Sequence, residues 1–182
     1  MIGYKIVLSI NACRLLLTLE IPSDAKTNMN RPDIFDKDKA SYRCNKCNVI
    51  NIEDELGNIY TEAFSIFDSD FKYELNKQVE VKNFDENGGS AGIHFYLSKI
   101  VAYNQDVRVK WYIKDGKTMI DCVLPPILEN NALIRYNANG SMYQKIPFTF
   151  SKNSIKVTGD LVYYKNNVVE TVYKYKNNVL IE

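Results

Sequence analysis

Turn-forming residue pairs recur at close intervals through the C-terminal part of the chain, and this spacing limits the fold more than any other feature. Asn and Gly accept a positive φ angle cheaply, which tight turns require. Between the pairs lie strand-length runs rich in Tyr, Val and Ile. Short strands separated by regular turns predict an antiparallel β-meander over residues 106–182. The pairs are Asp115-Gly116, Asn130-Asn131, Asn139-Gly140, Lys152-Asn153, Gly159-Asp160, Asn166-Asn167 and Asn177-Asn178.

Two of these turns repeat almost verbatim, as Tyr-Lys-Asn-Asn-Val starting at Tyr164 and again at Tyr175. An aromatic residue before each turn is typical of repeat sheets, in which each hairpin packs on its neighbours. Aromatic residues of this sheet are candidates for protein contacts, because tyrosine offers a large contact area at low entropic cost. The alternative is that these rings only pack the faces of the sheet. The candidates are Trp111, Tyr112, Tyr136, Tyr164 and Tyr175.

The apolar pattern of residues 1–105 predicts a separate β-rich domain, centred on a strand at Gly92–Leu97. The apolar run Leu15–Ile21 predicts an earlier strand that is covered on both faces. Ser98 is a typical helix cap, so we expect a short helix after the central strand. The sequence therefore predicts a mainly β protein of the α+β class with few short helices. A compact mixed β domain over residues 1–105 is followed by the β-meander.

The central strand also contains the only histidine of the chain, His94. Because side chains alternate between the two faces of a strand, we expect Ile93, Phe95 and Leu97 in the core. His94 and Tyr96 then face the opposite side and are candidate ligand-binding residues. Histidine titrates near neutral pH, which suits a base or a ligand contact. The alternative is a half-buried strand histidine that bonds to a carbonyl or carboxylate.

Basic and acidic residues are nearly balanced, at 23 and 22, which leaves a net charge of +1. This balance argues against a nucleic-acid surface and against a polybasic membrane anchor. The apolar stretch over residues 6–19 is shorter than the roughly 20 residues that span a bilayer. No small-residue cleavage site follows it, so we expect a buried segment of the mature protein rather than a signal peptide.

Cys44 and Cys47 have the spacing of half a zinc site. The sequence contains no second C-x-x-C pair, and strand-like Val49 and Ile50 follow where a redox motif would begin a helix. Buried free thiols are therefore the favoured interpretation, with metal binding and redox chemistry as alternatives. We expect no metal and no cofactor. Reduced thiols are typical of an intracellular protein.

A resemblance to a known domain covers residues 19–103. The matching pieces, in order, are Leu19-Glu20-Ile21-Pro22 with Asp24-Ala25-Lys26, Tyr42-Arg43-Cys44, Val79 with Asn83-Phe84-Asp85, and Gly92-Ile93-His94-Phe95-Tyr96-Leu97 with Ala102-Tyr103. They resemble a domain of unknown function found in large DNA viruses and some microbes, often next to pentapeptide repeats. The later repeats are similar to the MORN-like tyrosine-glycine tails that accompany such domains, with Asn167 and Asn178 where glycine is usual. This resemblance implies a viral or virus-derived protein and brings no established catalytic residues.

A second resemblance concerns the central strand and the helix after it. Gly92-Ile93-His94-Phe95, followed by Ala102-Tyr103, looks like the strand-helix segment of ADP-ribosyltransferases, with Tyr42-Arg43 in the place of the first motif. That likeness implies an NAD pocket formed around Arg43 and His94. The acidic residue of the third transferase motif has no clear counterpart in the sequence.

The sequence contains no complete catalytic constellation, so the favoured hypothesis is a non-enzymatic structural or interaction protein. With the viral resemblance, it predicts a minor capsid-associated component of the virion of a large DNA virus. Its expected partners are other proteins, capsid proteins among them, and its expected location is the host cytoplasm and the virion. The alternative is an ADP-ribosyltransferase-like domain that binds NAD.

Overall fold

The computed structural model of the chain describes residues 1–86, 91–105, 109–114, 117–122, 132–151 and 154–182. Strands account for 51% of it and helix for 4%. This confirms the mainly β class with few short helices. Every ladder described between these strands is antiparallel.

The described elements are strands and one short helix. They are β1 (Ile2–Leu8), β2 (Arg14–Glu20), β3 (Ser41–Cys44), β4 (Lys46–Glu53), β5 (Glu62–Phe64), β6 (Lys72–Glu74), β7 (Gln78–Glu80), β8 (Ile93–Tyr96), α1 (Lys99–Gln105), β9 (Val109–Lys114), β10 (Lys117–Cys122), β11 (Ala132–Tyr136), β12 (Met142–Ser151), β13 (Ser154–Val157), β14 (Gly159–Lys165), β15 (Val168–Lys176) and β16 (Val179–Leu180).

The first sheet is built on the hairpin of β1 and β2, and its strands lie in the order β3-β8-β1-β2-β4-β7. The apolar run in β2 is buried on both faces, as its composition predicts: Leu17 and Leu19 lie in the main core, and Leu16 packs with α1 on the other face. The helix begins at the expected cap, since the Val101 N–H donates to Ser98 Oγ at 3.4 Å.

One edge of β1 is divided between two neighbours. Tyr4 pairs with Tyr96 of β8, whereas Leu8 pairs with Phe64 of β5. The β5–β6 hairpin and β8 therefore pair with different parts of the same edge of β1. A gap in the sheet lies between them, next to Lys5. This opening is the place where the candidate site lies.

The second large sheet has the order β11-β12-β14-β15-β16, with β13 paired to the far end of β12. Its own core contains Leu133, Ile146, Phe148, Val157, Leu161 and Tyr175. Strands β9 and β10 form a separate two-stranded hairpin.

Three predicted turns of this part are confirmed by their backbone angles. Gly140 has φ of 87°, and both asparagines of Asn166-Asn167 and of Asn177-Asn178 also have positive φ angles. Gly159-Asp160, in contrast, begins β14 instead of forming a separate turn. The predicted turns at residues 115–116, 130–131 and 152–153 lie outside the described residues.

Backbone hydrogen bonds connect the two parts of the chain. The loop before β3 donates to the turn after β11: the N–H groups of Phe35 and Asp36 reach the Asn139 carbonyl at 2.7 and 3.2 Å. The Ser41 N–H reaches the Ala138 carbonyl at 3.1 Å. Within the described residues, no helix has the length and apolar character needed to cross a membrane.

Candidate functional site

A cavity of about 790 Å³ occupies the opening between β8 and the β5–β6 hairpin. Both parts of the chain contribute to it, and aromatic rings form much of its wall. The described residues that line it are Lys5, Ser41, Ser65, Phe67, Asp68, Phe71, Tyr73, Val81, Ala91, Gly92, His94, Tyr96, Tyr136 and Ala138.

Lys5 and Tyr73 are the buried lining residues, with only 7% and 2% of their surfaces exposed. Burial raises the pKa of the Tyr73 phenol. At the opposite extreme, Phe67 is 81% exposed, and Asp68 is also exposed. The cavity thus extends from an exposed rim to a buried end that Lys5 and Tyr73 line.

The alternation predicted for the central strand is confirmed. Ile93 and Phe95 are fully buried in the main core. Gly92, His94 and Tyr96 line the cavity, and the two side chains are half-buried. The period-2 geometry of β8 is what places His94 and Tyr96 together.

Arg43 is the register partner of His94 on β3, so these two candidate residues are direct neighbours. The Arg43 side chain does not join His94 in lining the cavity. Its Nη1 donates to the Ala91 carbonyl at 2.6 Å, and the guanidinium lies 5.9 Å from the centre of the Phe84 ring. Arg43 is 7% exposed, and it supports the wall of the cavity from behind.

The pair Cys44 and Cys47 is fully buried, and neither cysteine forms a disulfide. The hydrogen bond with Cys44 and the burial of the site raise the pKa of the Cys47 thiol. A protonated thiol is a poor nucleophile and a poor metal ligand. The described residues contain no cluster of three or more potential metal ligands. The absence of bound metal stays a prediction, which stoichiometric zinc in elemental analysis would contradict.

A second surface feature crosses three neighbouring strands of the second sheet, and we call it the tyrosine ladder: Tyr143, Tyr163 and Tyr173. Ring centres are 5.9 Å apart for Tyr143 and Tyr163, and 6.0 Å apart for Tyr163 and Tyr173. Both contacts are edge-to-face, the arrangement that aromatic pairs prefer. Arg135 lies 5.9 Å from the Tyr143 ring centre at one end. The outer rings of the ladder remain 41% and 40% exposed.

Residues 1–102 match the model of a family of unknown function, DUF5758. The chain belongs to this family. No curated protein and no solved structure matches this chain. The DUF5758 match contains every described lining residue of the cavity except Tyr136 and Ala138. The tyrosine ladder lies wholly beyond the match.

The residues predicted for protein contacts in this DUF5758 member lie in different places. Tyr136 lines the cavity. Tyr164 is half-buried in β14, on the face opposite to Tyr163. Tyr175 is 7% exposed and packs in the core of the second sheet. Trp111 and Tyr112 lie in β9, and their side chains are outside the described part.

Sequence reasoning missed Lys5 in the cavity and the tyrosine ladder on the surface. The ladder depends on strand register, and a β-bulge shifts the register between Tyr163 and Tyr164. The spacing of the tyrosines does not show that shift. The available signal was the aromatic content of consecutive strands, which indicates stacked rings without saying which of them meet.

Proposed function

We propose that this chain is a non-enzymatic interaction protein that contacts another protein through the tyrosine ladder. The observation that carries the proposal is the exposure of Tyr143 and Tyr173, at 41% and 40%, in a continuous aromatic row across three strands. Rings held edge-to-face on a sheet are already ordered before binding, so a partner that covers them loses little conformational entropy.

The surroundings of the ladder support a protein partner. Tyrosine and arginine are over-represented among the residues that dominate binding energy at protein interfaces, and Arg135 adjoins the ladder directly.

The setting we propose is the virion of a large DNA virus, with a capsid protein as the partner and the host cytoplasm as the site of synthesis. This part of the proposal is supported by the resemblance of residues 19–103 to a domain found in such viruses. Mass spectrometry of purified virions should detect the chain at a fixed ratio to the capsid proteins. Its consistent absence from particles that infected cells release would contradict the setting but not the interaction.

A photo-crosslinking experiment tests the interaction itself. We expect benzoylphenylalanine at Tyr173, introduced in the native host cell, to give one dominant crosslinked protein. The same group at Leu56, which is 88% exposed in the turn after β4, is the control and should not capture that protein. Replacing Tyr143 with serine should reduce the yield from position 173. Equal capture from both positions, or none from position 173, would reject the proposal.

The placement of His94 supports a second candidate function, an ADP-ribosyltransferase-like NAD site, because this ring lines a cavity and is adjacent to Arg43. Arg43 weighs against it, since its guanidinium is engaged with the Ala91 carbonyl and does not line the cavity. Calorimetric titration with NAD separates the two functions. Saturable binding that His94→Ala abolishes would favour the transferase, whereas no heat at millimolar NAD would exclude it.

A further inference from the structure

We propose that the cavity between β8 and the β5–β6 hairpin binds a small uncharged molecule that contains aromatic rings. The tyrosine ladder is on the other sheet, so this inference does not depend on the proposed interaction with a partner protein. The cavity volume of about 790 Å³ lies in the upper part of the roughly 300–1,000 Å³ that is typical of small-molecule sites. A single ring would leave much of that space empty, so two fused or linked rings fit it better.

Two arginines bond to the wall of the cavity, and neither is among the described lining residues. Arg31 donates from Nη1 to the Ser41 carbonyl at 2.8 Å and from Nη2 to the Ala138 carbonyl. Arg43 donates from Nη1 to the Ala91 carbonyl at 2.6 Å. Both guanidinium groups therefore serve backbone acceptors of the wall. An anionic ligand would have to break these bonds to gain an arginine fork.

The two fully charged side chains among the described lining residues also have partners within the protein. Lys5 interacts with another group of the chain, and the Asp68 carboxylate at the rim accepts the Asp70 N–H at 3.1 Å. A ligand charge of either sign would lose hydration on entering the cavity and would compete for groups that are already engaged. An uncharged ligand avoids that cost, so the engaged charges of the wall favour a neutral molecule.

The remaining wall favours flat rings. Phe71 and Tyr73 lie on the β5–β6 side, 5.2 Å apart between ring centres and in edge-to-face contact. His94 and Tyr96 face them from β8, and Tyr136 closes the site from the second sheet. An aromatic ligand between these side chains makes offset or edge-to-face contacts with several rings at once. A saturated ligand of the same size fills the space without that additional interaction.

A matched pair of fluorescent probes tests the preference for a neutral ligand. N-phenyl-1-naphthylamine is uncharged, and 8-anilinonaphthalene-1-sulfonate has the same two ring systems with one sulfonate added. We expect N-phenyl-1-naphthylamine to bind the full chain saturably, with a rise in fluorescence. It should bind about tenfold or more tightly than the sulfonate, because the cavity offers the added charge no compensation.

A second pair separates aromatic rings from apolar bulk. The displacing compounds are 2-naphthol, which is neutral at pH 7, and decahydro-2-naphthol, which has the same carbon skeleton fully saturated. Both should displace bound N-phenyl-1-naphthylamine. The aromatic compound should act at a roughly threefold or more lower concentration, since only its rings gain the contacts with the aromatic wall.

Variants test the position of the probe. Ser41 lines the cavity from β3, so Ser41→Trp should fill it and abolish binding while keeping the backbone groups of this strand. Ile50→Trp is the matched control, because Ile50 lies on β4 outside the described lining and is 43% exposed. Phe71→Leu removes one ring of the wall and should weaken binding by roughly threefold. Tyr173→Ala removes a ring of the tyrosine ladder and should leave the affinity unchanged.

Four outcomes would overturn the proposal. The first is no saturable binding of N-phenyl-1-naphthylamine up to its solubility limit. The second is equal or tighter binding of the sulfonate, which would show that the cavity recognises an anion. The third is equal displacement by the saturated alcohol. The fourth is unchanged affinity in Ser41→Trp or its loss in Tyr173→Ala, because the probe would then bind elsewhere. The first three results come from the unaltered chain and remain decisive even if thermal unfolding shows that Ser41→Trp does not fold.

Discussion

Gly140 lies at a point where one methyl group decides the fit between the two parts of the chain. A Cβ atom at this position would be 2.2 Å from the Asp36 carbonyl oxygen, and φ is +87°. Gly57 is a matched control, because its φ is +84° and a Cβ there would meet nothing within 4 Å. The positive φ costs both alanine variants roughly 1–2 kcal/mol. Gly140→Ala should therefore lose more unfolding free energy than Gly57→Ala in urea denaturation, and equal losses would show that the turn shifts freely.

Cys47 and Tyr73 are buried groups that make the folded chain less stable at alkaline pH. The hydrogen bond with Cys44 raises the pKa of Cys47, and burial raises the pKa of Tyr73, from ordinary values of 9.0 and 10.0. The folded chain thus keeps protons that the unfolded chain releases. The free energy of unfolding keeps its full value below about pH 9. Above that pH it declines, by up to about 1.4 kcal/mol per pH unit for each proton that the folded chain retains. Denaturation between pH 7 and 10.5 should show this decline, and a Cys47→Ala variant with an unchanged slope would contradict the assignment.

Residue positions that depend on strand periodicity could be predicted, whereas those that depend on sheet curvature could not. Strand alternation predicts Ile93 and Phe95 in the core and His94 on the other face, and the structure confirms this because alternation is a local property. Lys5 gave no such signal. Its place in the wall of the cavity follows from the divided edge of β1, which is set by pairing with Tyr96 and Phe64 far along the chain.

At the scale of elements, the paired asparagines of the hairpins have different roles. Asn177 and Asn178 have φ angles of 52° and 67°, which fit a two-residue turn. Asn178 is also 5% exposed, and its Oδ1 accepts the Val157 N–H at 2.5 Å. Asn178 thus stands where glycine is usual in such repeats because its side chain forms a hydrogen bond between the turn and β13.

Glycine variants separate these two roles. Asn177→Gly keeps a residue that tolerates positive φ and should change the free energy of unfolding little. Asn178→Gly keeps the angle but leaves the buried Val157 N–H without that acceptor, which should cost about 1–3 kcal/mol. Chemical denaturation of both variants measures the difference. Similar losses would mean that the turn conformation, and not the bond to Val157, determines stability here.

The turn pairs were predictable as elements, since Asn and Gly indicate positive φ without reference to the rest of the chain. The tyrosine ladder was not predictable, because bulges shift the register at Tyr163/Tyr164 and at Arg135/Tyr136. Tyr175, which the repeat predicts as a contact residue, instead packs in the core. A repeat in sequence therefore located the turns correctly and did not say which face each ring takes.

At the scale of the whole molecule, the contact between the two parts is the least predictable feature. The Phe35 and Ser41 N–H groups donate to carbonyls in the turn after β11, a hundred residues further along the chain. The sequence shows a polar loop at residues 23–40 and a turn at Asn139-Gly140, each understandable by itself. No local pattern indicates that they meet, because a loop and a turn gain their shared hydrogen bonds only from the tertiary fold.

This contact predicts that the two parts unfold together. Without β11 and the turn after it, the Phe35, Asp36 and Ser41 N–H groups lose their acceptors, and the cavity loses Tyr136 and Ala138 from its wall. Each part therefore stabilises the other. Hydrogen exchange in rising urea, followed by mass spectrometry, should show residues 46–53 and 159–165 becoming labelled in one step. Gly140→Ala should shift both segments to lower urea by the same amount, because it disturbs the shared contact. Separate steps, or a shift confined to residues 159–165, would establish two independent folding units.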